Sequence, residues 1–156
     1  MKEIPLTQGQ VTLVDDADFD WLNQWKWYAI YQRNTQSFYA VRGVRVAGKV
    51  VRIWMARLIL GLDQLEITAD HQNGNTLDNQ RLNLRAATNQ QNVTNSKMRW
   101  NNQVGLKGVS PCRRRFKAQI TVNGKKLYLG LFLTPELAAE AYRKKALEVH
   151  GEFARL

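Results

Sequence analysis

Cysteine and long apolar runs are scarce in this sequence of 156 residues, and both shortages narrow its class. The single cysteine, Cys112, excludes an intramolecular disulfide and the multi-cysteine zinc sites of many small nucleic-acid-binding proteins. No apolar run approaches the ~18 residues that a membrane span requires, so no membrane partner is expected. The first ten residues lack the apolar core of a signal peptide, which predicts a cytoplasmic protein.

Acidic residues are also scarce, and their distribution is uneven. The net charge is +10, of which residues 1–104 contribute +3 and residues 105–156 contribute +7. Between Asp78 and Glu136 there are 11 Lys and Arg residues and no Asp or Glu. Such a surface suits the neutralisation of phosphates by Lys and Arg with release of counterions. The charge therefore predicts a nucleic-acid partner, the alternative being a basic protein with an incidental asymmetry.

The pattern along the chain predicts two domains joined by a linker. Residues 1–95 form the first domain, 96–104 the linker and 105–156 the second domain. Within the first, β-branched and aromatic residues predict these strands: Val11–Val14, Tyr28–Tyr31, Phe38–Val41 and Val50–Trp54. Helices are predicted over Asp16–Leu22, with Asp16 or Asp18 as N-cap, over Trp54–Leu60 with a stop at Gly61, and from Thr88 onward.

The stretch from 63 to 95 is polar, loop-like and rich in asparagine. It contains these groups in order: Asp70-His71-Gln72-Asn73-Gly74, Leu77-Asp78-Asn79, Asn83-Leu84-Arg85 and Asn89-Gln90-Gln91-Asn92. Hydrolysis of a phosphodiester requires a metal ion to neutralise charge and a base to activate water. A neutral imidazole suits the base near pH 7, and carboxylate and amide oxygens suit Mg²⁺.

Asp70 and His71 are neighbours, and this raises a geometric condition. Adjacent residues of a strand point to opposite faces, so both side chains can converge on one site only where the backbone is irregular. The Asn73-Gly74 pair that follows is typical of a turn and is predicted to supply that irregularity. Taken singly, an Asp-His pair and an Asn-Gly pair are common surface features, so the argument depends on the whole series.

That series resembles the HNH nuclease family, specifically its small phage and intron-associated, homing-type branch. The resemblance implies a ββα-metal fold and one divalent cation, Mg²⁺ or Mn²⁺. It implies that Asp70 and Asn92 hold the metal and that His71 is the general base. It further implies that Asn83 braces the ββα loop and orients His71, and that Arg85 lies near the phosphate.

One position departs from the family pattern within the matching residues 50–95. The helix before the motif typically has the sequence Met-His-Arg-Leu in this branch, whereas here Ala56 stands in the second place, followed by Arg57. Alanine can neither bind metal nor donate a proton. The departure predicts impaired cleavage, through natural loss or deliberate inactivation. Arg57 is assigned to DNA contact.

The second domain alternates in the manner of a sheet with one apolar face. One face of its strand is predicted to carry Phe116, Ala118, Ile120 and Val122, and the other Lys117, Gln119 and Thr121. A hairpin turn at Asn123-Gly124 leads to a return strand with Lys126 and Tyr128 on the polar face. Thr134-Pro135-Glu136 then begins an amphipathic helix.

This domain resembles the AP2 domain, a DNA-binding fold of plant transcription factors that is also appended to HNH nucleases. The most specific segments are Tyr128-Leu129-Gly130-Leu131-Phe132, Glu140-Ala141-Tyr142 and His150-Gly151-Glu152-Phe153-Ala154. The resemblance implies that the DNA-facing sheet carries Arg113, Arg115, Lys117, Gln119, Thr121, Lys126 and Tyr128. His150 is assigned a structural role.

Together these inferences predict an α+β protein. An N-terminal β-rich region leads into a ββα-metal HNH core, and a small AP2-like three-stranded sheet packed on one helix follows. The predicted function is a metal-dependent endonuclease that nicks duplex DNA in a bacterial or phage-infected cell, as a monomer or homodimer. A non-catalytic DNA-binding protein with a relic HNH site is one alternative, and a structure-specific or RNA-processing nuclease is another.

Overall fold

The buried apolar side chains collect in separate clusters, and the fold divides accordingly. A computed structural model describes residues 1–95, 98 and 102–154, and the chain forms two compact units, Met1–Asn92 and Val93–Leu156. The boundary falls inside a helix, slightly before the predicted end of the first domain. Most of the predicted linker, with Trp100, lies outside the described residues. Within the described ranges, no helix is both long and apolar enough to cross a membrane.

Short antiparallel sheets and short helices make up the first unit. Its elements are β1 (Lys2–Pro5), β2 (Val11–Val14), α1 (Asp16–Leu22), β3 (Tyr28–Gln32), β4 (Ser37–Val46), β5 (Lys49–Trp54), α2 (Met55–Ile59), β6 (Ile67–His71), β7 (Leu84–Thr88) and α3 (Asn89–Asn95). The sheets are β1–β2, β3–β4–β5 and β6–β7. The residue pattern predicted neither β1 nor the pair β6 and β7, since the stretch around that pair has the composition of a loop. Two strands in that stretch were implied only by the resemblance to a ββα fold.

Helix α1 has the predicted range but a different cap. Its N-cap is Asp15, not Asp16 or Asp18, and the Asp15 side chain makes no capping bond. Asp18 is instead buried and accepts two hydrogen bonds of 2.7 Å from the guanidinium of Arg81. This bond lowers the pKa of the Asp18 carboxyl. The helix is thereby tied to the loop that follows β6, a long-range contact that no local pattern indicates.

The core of the first unit lies between the small sheets and the two short helices. Leu22, Met55 and Val14 are fully buried at its centre. Trp27 is buried with them and donates its indole N–H to the Leu22 carbonyl at 2.8 Å. Such packing holds α2 against the strands and so positions the residues that follow β5.

The second unit is a three-stranded antiparallel sheet in the order β10–β9–β8 with one helix packed on it. Its elements are β8 (Val109–Cys112), β9 (Arg115–Val122), β10 (Lys125–Phe132), α4 (Pro135–His150) and a 3₁₀ turn (Gly151–Phe153). The predicted turn is confirmed, since Asn123 and Gly124 have φ of 50° and 74°. Both units together give the α+β class that the sequence predicts.

Short-range sequence patterns determine the main features of the second unit. Thr134 caps α4 by accepting a hydrogen bond from the Leu137 N–H at 3.4 Å. The predicted apolar face of β9 contacts the helix through Ala118 and Ile120, both buried. A register shift between Tyr128 and Gly130 adds one residue to β10, a bulge that the alternating pattern did not predict.

Gly108 provides a test of how tightly the second unit is packed. Its φ is +74°, and a Cβ there would lie 2.0 Å from a ring carbon of Tyr142. We expect Gly108→Ala to destabilise the unit by about 3 kcal/mol, from the left-handed backbone and the overpacked ring together. Hydrogen exchange of the β9 amides measures this stability directly.

Gly105→Ala is the matched control for that experiment. Gly105 has a similar φ of +72°, but nothing lies within 4 Å of the added Cβ. It should therefore cost only about 1 kcal/mol, the backbone part alone. Equal losses for the two variants would show that the Tyr142 ring moves aside freely.

Candidate active site

Asp70 and His71 occupy the last two positions of β6. Asp70 pairs with Arg85 and His71 with Leu84 across the β6–β7 ladder. Both side chains are nearly buried, with 3% and 6% of the residue exposed. The strand stays regular through His71, so the turn begins only after it. The irregularity predicted at this pair is therefore not found, and the two side chains leave the strand on opposite sides and take different partners.

The imidazole of His71 belongs to a chain of buried hydrogen bonds. Its Nε2 lies 3.1 Å from Asn79 Oδ1. Asn79 Nδ2 donates to Thr12 Oγ1 at 2.8 Å, and Thr12 Oγ1 donates to the Leu77 carbonyl at 2.8 Å. Asn79 and Thr12 are fully buried, so both partners of each bond are fixed in place.

The direction of this chain assigns the tautomer of His71. The Leu77 carbonyl can only accept, so the Thr12 hydroxyl donates to it and accepts from Asn79. The Asn79 amide must then turn its oxygen toward His71. Nε2 therefore carries the proton, and Nδ1 is the basic nitrogen of the ring.

Burial keeps the imidazole neutral. Removal from water lowers the pKa of His71 below its ordinary value of 6.5, although the Asn79 hydrogen bond and the charges of Asp70 and Asp78 oppose the shift. The ring of Tyr39 contacts the imidazole edge-on, with 6.4 Å between centroids. A neutral ring with a defined tautomer is what a general base near pH 7 requires.

Strand β2 positions Asn79 through its backbone as well. Leu13 N–H donates to the Leu77 carbonyl at 2.9 Å, and Asn79 N–H donates to the Leu13 carbonyl at 2.8 Å. A short parallel bridge between Leu13 and Asp78 results. The loop after β6 is thus held on β2 at Leu77 and at Asn79, on either side of Asp78.

Asn83 braces the same loop from its other end. Its Oδ1 accepts from the Asn73 N–H at 2.9 Å, and its Nδ2 donates to the Asp78 carbonyl at 2.7 Å. Asn83 thereby fixes the segment that carries Asn79, the partner of His71. Asn83 therefore bridges two parts of this loop, and its predicted role in orienting His71 stays a prediction.

Asp70 forms a buried ion pair. The Arg85 guanidinium donates from Nε to Asp70 Oδ2 at 2.8 Å, with both side chains largely shielded from water. The cation offsets the cost of burying the carboxylate. Arg85, predicted near a phosphate, is therefore held on Asp70, the predicted metal ligand.

Asn92 and Arg57 lie in the two short helices. Asn92 is half-buried in α3, and its metal-ligand role stays a prediction. Arg57 donates to three backbone carbonyls, those of Ile67, Leu62 and Gln64. The structure thus gives Arg57 the task of holding the loop before β6, and its predicted contact with DNA remains untested.

The described residues contain no cluster of three His, Cys, Asp or Glu side chains suited to a metal.

Ala56 is 8% exposed and belongs to the hydrophobic core, in the cluster that includes Leu84. The position that holds histidine in the resembling family is therefore filled here by apolar packing beside β7.

The polar face of the C-terminal sheet carries the predicted residues except Arg113. Cross-strand pairs join Gln119 to Tyr128 and Thr121 to Lys126. Arg115 and Lys117 share that face by alternation along β9. Arg113 lies in the β8–β9 turn, with φ of 54°. The bulge in β10 adds Leu131, opposite Lys117, to this exposed face.

Two viral proteins are similar to the chain. One is named "Uncharacterized HNH endonuclease L560", from Acanthamoeba polyphaga mimivirus, and is 37% identical over 97 residues, covering 62% of this chain and 50% of that protein. The other is protein 3.8 of Escherichia phage T7, 36% identical over 88 residues, covering 55% of this chain and 72% of that protein. The chain belongs to the protein 3.8 family. No protein-family model matches it.

Sequence reasoning missed Asn79 and Thr12, the residues that orient His71. Asn79 stood within the polar series, but its partner Thr12 lies 67 residues earlier, in an ordinary strand. The one signal in the sequence was that Thr12 shares a face of β2 with Val14, an apolar residue.

The pH dependence of stability should report the burial of His71. The folded state binds a proton less readily than the unfolded state, since the folded pKa lies below 6.5. Stability should therefore fall as pH drops below 6.5 and be independent of this group at higher pH. NMR titration of the His71 ring should give a midpoint below 6.5.

His71→Gln keeps a donor for Asn79 and removes the titration, so its urea midpoint should depend less on pH. His150→Gln separates the other histidine, whose pKa is also lowered by burial. A His71 midpoint at or above 6.5 would contradict the proposed state of the ring.

Proposed function

We propose that the chain is a metal-dependent HNH endonuclease that nicks duplex DNA. The observation that carries the proposal is the state of His71, which is neutral, buried and held with Nδ1 as the basic nitrogen. In this role His71 accepts a proton from the attacking water. The similarity to a protein named an HNH endonuclease supports the same reaction class.

The donor set fits a hard divalent cation, Mg²⁺ or Mn²⁺. Asp70 and Asn92 offer a carboxylate and an amide oxygen, which such cations prefer. A cation of this kind keeps several waters and binds substrate phosphates, so it needs few protein ligands. When bound, it would neutralise charge on the scissile phosphate and stabilise the leaving oxygen.

The C-terminal unit is proposed as an AP2-like module that places the chain on duplex DNA. Its exposed sheet face carries Arg115, Lys117 and Lys126 beside Gln119, a mixture of phosphate-binding and base-reading side chains. Helix α4 covers the opposite face, so the polar face is the one left for a ligand.

A non-catalytic DNA-binding protein is the second candidate. The burial of Ala56 in the core favours it, because the site then has one polar group fewer than the resembling family. DNA binding is common to both candidates, whereas cutting belongs to the first alone.

Plasmid nicking separates these candidates. With Mg²⁺ or Mn²⁺ the chain should convert supercoiled DNA to the open-circular form, and EDTA should stop the reaction. His71→Ala should lower the rate by about 10²–10⁴-fold and leave DNA binding intact, since the general base is lost. His150→Gln is the matched control and should cut normally.

Two results would contradict the proposed nuclease activity. A chain that binds DNA but nicks with none of these metals would be the non-catalytic protein. Asp70→Asn keeps the shape of the side chain and a partner for Arg85 while removing the charge. If Asp70→Asn cut at the parental rate, the metal assignment would be wrong.

Salt dependence of binding tests the sheet face. Each lost phosphate contact should reduce the slope of log K against log salt by about 0.9. Arg115→Ala with Lys126→Ala should therefore reduce it by about 2. Arg143→Ala with Lys144→Ala removes the same charge from the exposed side of α4 and should change it little. Equal effects of the two pairs would indicate net charge alone.

A further inference from the structure

The hairpin formed by the ends of β4 and β5 is exposed almost throughout. We name residues 43–52 the β4–β5 arm. Of these ten residues only Val44 is half-buried, and Val46 and Val50 are 55% and 66% exposed. An isolated two-stranded ribbon is marginally stable in water, so its apolar exposure indicates a surface kept for contact.

The base of the arm is anchored in the first unit. The Arg42 guanidinium, one residue before the arm, lies 4.0 Å from the Trp25 ring and 5.7 Å from the Trp27 ring. Cation–π contacts of this kind stabilise the strand where it leaves the core. The arm is therefore a supported projection of β4 and β5.

The arm carries positive charge with no acid to balance it. Arg45, Lys49 and Arg52 are its charged residues, and all are exposed. Within the described part of the chain, none of these three side chains forms an ion pair or a side-chain hydrogen bond. The surrounding stretch 21–62 contains seven Lys and Arg residues and no Asp or Glu. A polyanion is the partner that this charge fits.

The strand register places both arginines on the side of the candidate active site. Arg52 pairs with Gly43 and Arg45 with Val50, on the same sheet face as the Val41–Trp54 pair. Tyr39 also lies on that face by alternation, and its ring contacts both Trp54 and His71. Lys49 pairs with Val46 on the opposite face.

The ring contacts limit the distance between the arm and His71. Ring centroids are 6.4 Å apart for His71 and Tyr39 and 5.5 Å apart for Tyr39 and Trp54. Arg52 lies two strand residues beyond Trp54, which places it within roughly 25 Å of His71. At ~3.4 Å per nucleotide along the axis, this corresponds to about seven nucleotides.

We propose that the β4–β5 arm is a second DNA contact of the first unit, in which Arg45 and Arg52 bind backbone phosphates within about seven nucleotides of the bond that is cut. A two-stranded ribbon has the width of the major groove, and exposed valines suit thymine methyl groups there. The inference rests on the proposed function, because it takes the same duplex as its ligand.

Binding of a duplex to the full chain, measured against salt without added metal, tests the arm separately from cutting. Arg45→Gln and Arg52→Gln should each reduce the slope of log K against log salt by about 0.9. Arg33→Gln is the matched control, because Arg33 is exposed in the β3–β4 turn at the far end of β4. Its slope should equal that of the unmodified chain.

Phosphate ethylation interference locates the phosphates that the arm contacts. A phosphate within about seven nucleotides of the nick should interfere with binding of the unmodified chain and cease to interfere with Arg52→Gln. Unchanged slopes for both arm variants, while the unmodified chain binds, would overturn the arm proposal alone. If the unmodified chain did not nick DNA, only the proposed nuclease activity would be overturned, because the arm is tested by DNA binding.

Self-association through the edge strand β5 is the competing use of this surface. Two results together would make the arm an interface between copies. The chain would be a dimer in solution, and the double variant Val50→Thr, Val51→Thr would be a monomer. In addition, Arg45→Gln and Arg52→Gln would keep the salt slope of the unmodified chain. That outcome would overturn its assignment to DNA.

Discussion

The hydrogen-bond chain from His71 through Asn79 and Thr12 to the Leu77 carbonyl is the constraint on which the site depends. Its polarity is set at the carbonyl, which has no proton to give. Every other direction in the chain follows, including the nitrogen of His71 that carries the proton. A strand far from the motif in sequence thus determines the chemistry available to the imidazole.

Burial and the hydrogen bonds of the loop after β6 together keep this chain of hydrogen bonds in place. Asn83 closes the loop on Asn73 and Asp78, and Arg81 ties it to α1 through Asp18. Each of these bonds spans a turn or joins different elements. The result is a rigid loop whose fully buried amide, Asn79, meets the His71 ring. The loop is polar in composition because its side chains replace the hydrogen bonds that a helix or strand would supply.

Much of this could be predicted from the sequence where the rule is local. The Asn123-Gly124 turn, the Thr134 cap and the alternation along β9 each depend on a few adjacent residues, and the structure has all three. The Asp-His pair and Asn83 were found by their order in one segment. Thr12 could not be found in this way, because its role arises from tertiary packing between β2 and the loop.

The exposed arm shows the same limit in a different form. The composition of Val50–Trp54 predicts a strand but not whether another element covers it, and burial is a property of the whole unit. Arg57 was assigned to DNA as a basic residue next to a motif, and in the structure it donates to carbonyls of the chain. Its contact with DNA stays a prediction. Arg45 and Arg52 are distinguished by exposure and by the sheet face they share with Tyr39.

The Asp70–Arg85 pair links two of the predicted roles. A buried carboxylate needs a cation, and Arg85 supplies one within the fold itself. Any divalent cation that shared this carboxylate would weaken its attraction for the guanidinium, and a substrate phosphate is the anion that could replace it. The predicted metal ligand and the predicted phosphate contact are thus coupled through one ion pair. Substitution of either residue changes the electrostatic environment of the other, so their effects on cutting should not be additive.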